Sequence, residues 1–106
     1  MANGDFIIEK AETEGGVTFI VKGRLDAMNS PALQLELEEA VAQGRINIAV
    51  NMTLVKYLSS TGIRVLLNTY KQVEEAGGKF SIEQPSDNVR NVLNITALDT
   101  LLLRNV

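Results

Sequence analysis

A run of three hydroxyl side chains is the feature of this sequence with the clearest chemical potential. Ser59, Ser60 and Thr61 stand directly before Gly62 and a run of apolar residues at helical spacing. The first backbone N–H groups of a helix lack intrahelical partners, and a serine or threonine side chain can cap the helix by accepting from them. The helix dipole also favours a phosphate at the same place, whether bound or attached to serine. The cluster therefore predicts a helix cap, a modification site, or both.

The sequence argues against catalysis by these hydroxyls. The chain has no cysteine and no histidine, which excludes a Ser-His-Asp triad, a Cys-His dyad and Cys/His metal sites within one chain. The cluster lacks the G-x-S-x-G pattern of a nucleophile elbow, and an enzyme with Ser60 as nucleophile would have no evident base. The segment "AGGKF" lacks the glycine spacing and the following Ser/Thr of a P-loop. We therefore expect no enzyme, no cofactor and no metal site.

Composition limits the class of protein further. The 106 residues fit a single domain, 1–106, and a hydrophobic content of 45% can form one core. The net charge is -3 and the basic residues are scattered, a pattern that argues against nucleic-acid binding. No apolar stretch approaches the roughly 20 residues of a membrane helix, and the start lacks the features of a signal peptide. We expect a cytoplasmic protein that binds neither nucleic acid nor membrane.

Apolar periodicity predicts alternating strands and helices. Strands are predicted at 6–11, 17–23, 46–50, 79–83 and 101–103, and helices begin near Ser30, Ser60 and Ser86. The first two strands should pair as a hairpin, with a link longer than the tightest turns. The strand–helix–strand order from 46 to 83 predicts parallel strands joined by a right-handed crossover. The fold class is therefore α/β, with a single small mixed sheet flanked by helices.

The predicted helices carry start and stop signals. Ser30 is expected to cap the first helix, with Pro31 at its first position and Gly44 at its end. Gly77 and Gly78 are expected to end the second helix in the left-handed conformation. The buried faces of the three helices are expected to consist of Leu33, Leu37, Ala40 and Val41; of Ile63, Leu66, Leu67, Tyr70 and Val73; and of Val89, Val92 and Leu93.

Three segments together resemble a known family. "VKGRLDAMNSPAL", "LVKYLSSTGIRVLLNTYKQVEEAGGKFSI" and "VRNVLNITALDTLL" are similar, in order and spacing, to the STAS domain (sulfate transporter and anti-sigma factor antagonist). The most specific parts are Gly23 with Leu25 and Asp26, the 60–62 segment, and the paired glycines before a strand. The resemblance covers about residues 6–103 and implies a small sheet flanked by helices.

For stand-alone members, the resemblance implies a switchable partner of an anti-sigma factor that is itself a serine kinase. The unphosphorylated protein binds the anti-sigma factor, so that the sigma factor is released. Phosphorylation of a serine at the start of the second helix blocks this binding, and a serine phosphatase restores it. Ser60 is the residue that matches this serine. Many phosphorylated members carry aspartate where this chain has Ser59 and Asn51.

The same resemblance implies a partner-binding surface on the predicted loop 56–60 and the exposed side of the following helix. Its expected members are Lys56, Tyr57, Ser59, Ser60, Thr61, Gly62, Arg64, Asn68 and Lys71. The sequence leaves open whether Gly62 needs a positive φ or lets a partner's backbone approach. Two other functions also stay open for the same fold, namely a scaffold subunit of a stress-signalling complex and a small-ligand-sensing STAS module.

Overall fold

The computed structural model describes residues 6–103, which form one four-stranded sheet and four helices. The elements are β1 (Ile7–Thr13), β2 (Gly16–Leu25), α1 (Ser30–Ala42), β3 (Asn47–Leu58), α2 (Ser60–Glu75), β4 (Lys79–Glu83), α3 (Asp87–Ile95) and α4 (Asp99–Leu102). The strand order is β1-β2-β3-β4; β1 is antiparallel to β2, and β2, β3 and β4 are parallel. The predicted mixed α/β sheet is confirmed. None of the described helices has the length and apolar character needed to cross a membrane.

The core lies on one face of this sheet. Phe19, Val50 and Ile82 are neighbours across three strands and are all buried. They belong to a cluster that also contains the inward side chains of α1 to α4, so the helices pack on this face. On the other face, the row Thr18, Ala49 and Ser81 contributes nothing to the cluster. Ala49 in this row is nevertheless buried, and its neighbours Thr18 and Ser81 are half-buried.

The hairpin between β1 and β2 is tighter than predicted. Thr13 pairs with Gly16, so only two residues link the strands. Gly15 has a φ of +83°, a conformation that glycine adopts without the steric cost of a Cβ. The prediction of a longer link was wrong because one residue with positive φ is enough to reverse the chain.

Strand β3 is more than twice as long as the predicted strand 46–50. Its pairing with β2 shifts register twice, once after Ile20 and once after Gly23, and each shift leaves one extra residue in β3. The two irregularities turn Met52, Val55 and Leu58 inward at a spacing of three residues. The alternation that identifies a strand is lost at this spacing, and the second half of β3 was therefore missed.

Two predicted helix signals at the ends of α1 and α2 were wrong. The residue before α1 is Asn29, and Ser30 lies inside the helix with a buried hydroxyl that has no partner among the described residues. Of the two glycines after α2, only Gly77 has the left-handed conformation, with a φ of +83°. A Cβ on Gly78 would lie 2.0 Å from the backbone oxygen of Ile46. Gly78 is needed for this close approach and not for its dihedral angle.

The predicted edge strand 101–103 was also wrong. Residues 99–102 form the short helix α4, and only Leu103 bridges to Ile82 in the parallel direction. Leu102 is fully buried, so the apolar run "LLL" contributes to the core from a short helix and not from a strand. Of the predicted buried face of α2, Leu66 and Val73 are buried and Ile63, Leu67 and Tyr70 are partly buried against the core. Val65 and Thr69, which were not predicted, are buried as well.

Helices α2 and α3 end in the same hydrogen-bonded motif with different residues at its left-handed position. After α2, Gly77 donates to Glu74 at 3.0 Å and the next residue donates to Val73 at 2.9 Å. After α3, Ala97 donates to Asn94 at 3.1 Å and Leu98 donates to Leu93 at 2.8 Å. Ala97 has a φ of +60°. An alanine in this conformation is strained by roughly 1–2 kcal/mol relative to glycine.

We therefore expect Ala97→Gly to raise the free energy of unfolding by about 1 kcal/mol. Gly77→Ala is the matched reverse change, because a Cβ there would meet no atom within 4 Å and adds backbone strain only. It should lower the free energy of unfolding by a similar amount. Urea denaturation of both variants checks the pair. Destabilisation by Ala97→Gly would show that the left-handed turn after α3 is not strained.

Candidate functional site

The hydroxyl cluster is joined to β2 through the backbone oxygen of Leu25. Both the N–H and the Oγ of Ser59 donate to this oxygen, each at 3.0 Å. Ser59 Oγ in turn accepts from the N–H of Gly62 at 3.1 Å, and Ser59 O accepts from the N–H of Ile63 at 2.9 Å. Ser59 thus links the ends of β2 and β3 to the start of α2.

The cap and the predicted acceptor of phosphate are different residues. Ser59 is the N-cap of α2, while Ser60 is the first helical residue and is exposed. The side chain of Ser60 forms no hydrogen bond within the described part of the chain. The N–H groups of Ser60 and Thr61 belong to the helix start and have no intrahelical partner. The predicted cap is thus present at Ser59, and Ser60, the residue predicted to be modified, is its direct neighbour.

Gly62 is required by the chain's own packing. A Cβ at this position would lie 2.9 Å from Leu25 O and 2.9 Å from Leu58 Cδ1. The φ of Gly62 is not among the positive ones, and the residue is buried. The first turn of α2 therefore lies directly on the end of β2. The positive φ considered from the sequence therefore does not apply, and the close approach at Gly62 is made by Leu25 of the same chain.

The segment before the cap is held from the other side by α3. Ser86 Oγ donates to Val55 O at 2.6 Å and also caps α3 by accepting from Val89 N–H at 3.2 Å. Asn88 Nδ2 donates to Lys56 O at 2.7 Å. Residues 56–58 are therefore the end of β3 and not the predicted loop. Fixed between β2 and α3, they hold the exposed side chains of Lys56 and Tyr57 in place.

The predicted partner-binding residues on α2 share one face. Ser60, Arg64, Asn68 and Lys71 are all exposed and follow each other at steps of four, four and three residues, which aligns them along one side of a helix. Thr61 is half-buried beside this row. We call the four residues the α2 ridge. It begins at Ser60 in the hydroxyl cluster, so the exposed site residues of α2 form one continuous row.

Two positions that are often acidic in the family have structural roles here. Ser59 caps α2 as an aspartate could, but only a hydroxyl can also donate to Leu25 O. Asn51 Oδ1 accepts from the N–H of Thr53 at 3.0 Å, at the first irregularity of β3. The first turn of α2 contains no acidic residue. In residues 6–103, no cluster of three or more carboxylates could hold a metal ion.

Sequence reasoning missed the turn between β2 and α1, which lies beside the cluster. Asp26 Oδ1 accepts from the N–H of Asn29 at 3.0 Å, and Asn29 Nδ2 donates to Arg24 O at 2.9 Å. The guanidinium of Arg24 lies over the ring of Tyr57, 4.3 Å from its centroid. An aspartate three residues before an asparagine is a recognisable turn signal. The contact with Tyr57 depends on the irregular register of β3 and has no comparable signal.

Replacing each serine by alanine separates the two roles. Ser59→Ala removes the acceptor for Gly62 N–H and one donor to Leu25 O, and should lower the free energy of unfolding by about 1–2 kcal/mol. Ser60→Ala removes a hydroxyl that has no hydrogen-bond partner in the described part of the chain, and should change the free energy of unfolding by less than about 0.5 kcal/mol. Urea denaturation of the two variants measures the difference. Equal losses would mean that Ser60 shares the capping role.

Comparison with known proteins gives a consistent family. The model of the STAS domain matches residues 8–105. The Anti-sigma-B factor antagonist of Bacillus subtilis (strain 168) is 25% identical over 95 residues, covering 90% of this chain and 86% of the relative. The Anti-sigma-B factor antagonist of Staphylococcus aureus (strain NCTC 8325 / PS 47) is 30% identical over 82 residues, covering 77% of this chain and 76% of the relative.

Solved structures agree on the fold. The anti-sigma factor antagonist SpoIIAA in its unphosphorylated form superposes with a TM-score of 0.79 at 22% identity, covering 95% of this chain and 88% of SpoIIAA. The Bacillus protein SpoIIAA in its phosphorylated form gives a TM-score of 0.73 at 22% identity, covering 95% and 91%. The resemblance found in the motifs is confirmed, and the chain belongs to the STAS domain family.

Proposed function

We propose that this protein is an anti-sigma factor antagonist whose binding to an anti-sigma factor is switched off by phosphorylation of Ser60. The observation that carries the proposal is the position of Ser60, which is exposed, first in α2 and first in the α2 ridge, and whose side chain has no hydrogen bond to residues 6–103. The names of the curated relatives support the same function. The protein then acts as a regulatory binding partner with no reaction of its own, in the cytoplasm where sigma factors work.

The proposed switch has two enzymes as partners. The anti-sigma factor is a serine kinase that transfers the γ-phosphoryl group of ATP to Ser60 Oγ, which loses its proton. A serine phosphatase hydrolyses the phosphoester and restores the hydroxyl. Ser60 needs no activating base of its own, because the kinase supplies it.

The fold should tolerate the modification. A phosphate adds about -1.5 to -2 charges at pH 7. At Ser60 it meets the positive end of a 16-residue helix and the free N–H groups of Ser60 and Thr61. The capping bonds of Ser59 stay intact, since they use a different side chain. Phosphorylation therefore leaves β2, β3 and α2 joined as before.

The interface should not tolerate it. A partner that covers the α2 ridge must place its own surface over Ser60, and the phosphate there is bulky and has to be desolvated. Even a loss of about 3 kcal/mol in binding would weaken the complex by more than a hundredfold. The switch thus works at the contact surface and not through refolding.

The first test locates the phosphate. The purified protein is incubated with ATP and, in turn, with each anti-sigma factor kinase encoded in the same genome, and the site is mapped by mass spectrometry. We expect phosphate on Ser60 alone, retained in Thr61→Val and absent in Ser60→Ala. Phosphate mapped to Ser59 or Thr61 in the wild-type protein would contradict the assignment.

The second test separates binding from folding. Phosphorylated and unmodified protein are compared in calorimetric titration against that kinase and in thermal melting. We expect the affinity to fall by more than about a hundredfold, with a melting temperature that is unchanged or slightly raised. Ser60→Ala is the control and should bind like the unmodified protein. Equal affinities would refute the mechanism, and a large drop in melting temperature would show that the switch unfolds α2.

A further inference from the structure

Arg24, near the end of β2, is unusually constrained for an exposed arginine. Its side chain is 60% exposed, yet the guanidinium lies 4.3 Å from the centroid of the Tyr57 ring. On its other side, Nε lies 3.7 Å from Asp26 Oδ2. Stacking on an aromatic face and a nearby carboxylate both restrict the plane of the guanidinium. The charge is therefore held in one orientation while it faces solvent.

The groups that orient Arg24 are themselves fixed. Asp26 Oδ1 accepts from Asn29 N–H at 3.0 Å, and Asn29, only 7% exposed, donates through Nδ2 to Arg24 O at 2.9 Å. Tyr57 is the direct neighbour of Arg24 across the β2–β3 pairing. The two side chains that flank Arg24 thus belong to hydrogen-bonded backbone, Asp26 in the turn after β2 and Tyr57 near the end of β3.

The hydrogen-bonding capacity of this guanidinium is unused. The 3.7 Å separation from Asp26 is too long for a hydrogen bond. None of the five N–H donors of Arg24 has a hydrogen-bond partner among the described residues. A planar guanidinium with free donors suits a carboxylate, which it can bind through two parallel N–H···O bonds.

Exposed apolar side chains occur in the same ends of β2 and β3 and in the turn after β2. Tyr57 is 42% exposed, Leu54 52% and Met28 68%. Lys22 pairs with Leu54 and lies two residues before Arg24 on the same face of β2, so a second cation borders the patch. Arginine and tyrosine beside exposed apolar residues are typical of the centre of a protein–protein interface. With Asp26 beside Arg24, the two cations still exceed the carboxylate by one charge, in a protein whose net charge is -3.

We propose that Arg24 binds a carboxylate of the anti-sigma factor and extends the partner surface from the α2 ridge to the ends of β2 and β3. The inference rests on the proposed function and adds that the anti-sigma factor carries a negative charge where it contacts Arg24. The two surfaces lie at the same end of the sheet, because Ser59, which precedes the α2 ridge, is bonded to Leu25, the residue after Arg24. The partner is acidic there, with apolar side chains for Leu54, Tyr57 and Met28. Arg24 is thus a residue that selects among anti-sigma factors.

The test uses charge reversal with a matched control. Arg24→Glu and Arg90→Glu change the net charge equally, and Arg90 is exposed on α3, a helix that contributes no residue to the patch or to the α2 ridge. Calorimetric titrations with the anti-sigma factor kinase are run at low and high salt. We expect Arg24→Glu to weaken binding by at least about thirtyfold and Arg24→Lys by a smaller factor, because lysine keeps the charge but loses the planar fork. Arg90→Glu should stay within about twofold, as an exposed residue outside the interface.

Two further measurements make the outcome decisive. The melting temperature of Arg24→Glu should lie within about 3 °C of the wild type, which excludes misfolding. Exposed Asp and Glu residues of the kinase are changed to arginine in turn, and one such variant should restore binding to Arg24→Glu but not to Arg90→Glu.

The possible failures are distinct. Equal binding by Arg24→Glu and Arg90→Glu would overturn the inference and leave the proposed function intact. Absence of binding by the wild-type protein to any such kinase would overturn both. Self-association of the wild-type protein that Arg24→Glu abolishes, measured by analytical ultracentrifugation, would assign the patch to a second copy of this chain and would also overturn the inference.

Discussion

The backbone oxygen of Leu25 is the point on which the rest of the site depends. It accepts two hydrogen bonds from Ser59, and a Cβ on Gly62 would lie within 3 Å of it. The end of β2 therefore fixes where β3 stops, where α2 begins and how closely the first turn of α2 approaches the sheet. Backbone groups buried at such a junction need partners, and Ser59 provides them for both strand and helix. The exposed residues on either side, from Arg24 to the α2 ridge, take their positions from this one junction.

Structural and regulatory roles are divided between neighbouring serines at this junction. Ser59 uses its N–H, its hydroxyl and its carbonyl in four hydrogen bonds, and any modification of its side chain would disrupt them. Ser60 contributes none, so its hydroxyl is available to a kinase. The distinction is one of direction, because Ser59 faces Leu25 at the strand end while Ser60 begins the exposed face of the helix. The family's frequent aspartate in place of Ser59 would keep the cap but could not donate to the strand.

Much of this arrangement was predictable from the sequence, and the failures have identifiable physical causes. Periodicity was sufficient for α1, α2 and α3 and for strands such as β2 and β4, because each of these buries one face. It failed in the second half of β3, where two extra residues convert an alternating pattern into a spacing of three. Which of three consecutive hydroxyls caps α2 depends on contact with a strand distant in sequence, and local patterns do not contain that information.

The same limit applies to Arg24 and Tyr57. Their contact exists because the second irregularity in β3 brings Tyr57, and not Lys56, opposite Arg24. From the sequence alone, a lysine, a tyrosine and an arginine were simply charged or aromatic residues near strand ends. The family resemblance identified Tyr57 as part of the expected partner surface. The stacking of Arg24 on Tyr57 could be recognised only once the register between β2 and β3 was known.

The hydrogen bond between Ser59 and Leu25 joins residues 34 positions apart in the sequence. Because of this separation, recognition of the site depends on folding of the chain. A newly made chain acquires the shape around Ser60 only after β2 has paired with β3, a non-local step that is slow compared with forming a helix. Partly folded or damaged copies lack that shape even though they contain the same serine. A partner that recognises this junction therefore binds only fully folded molecules. The concentration of active regulator then depends on the amount of folded protein and not on the rate of synthesis.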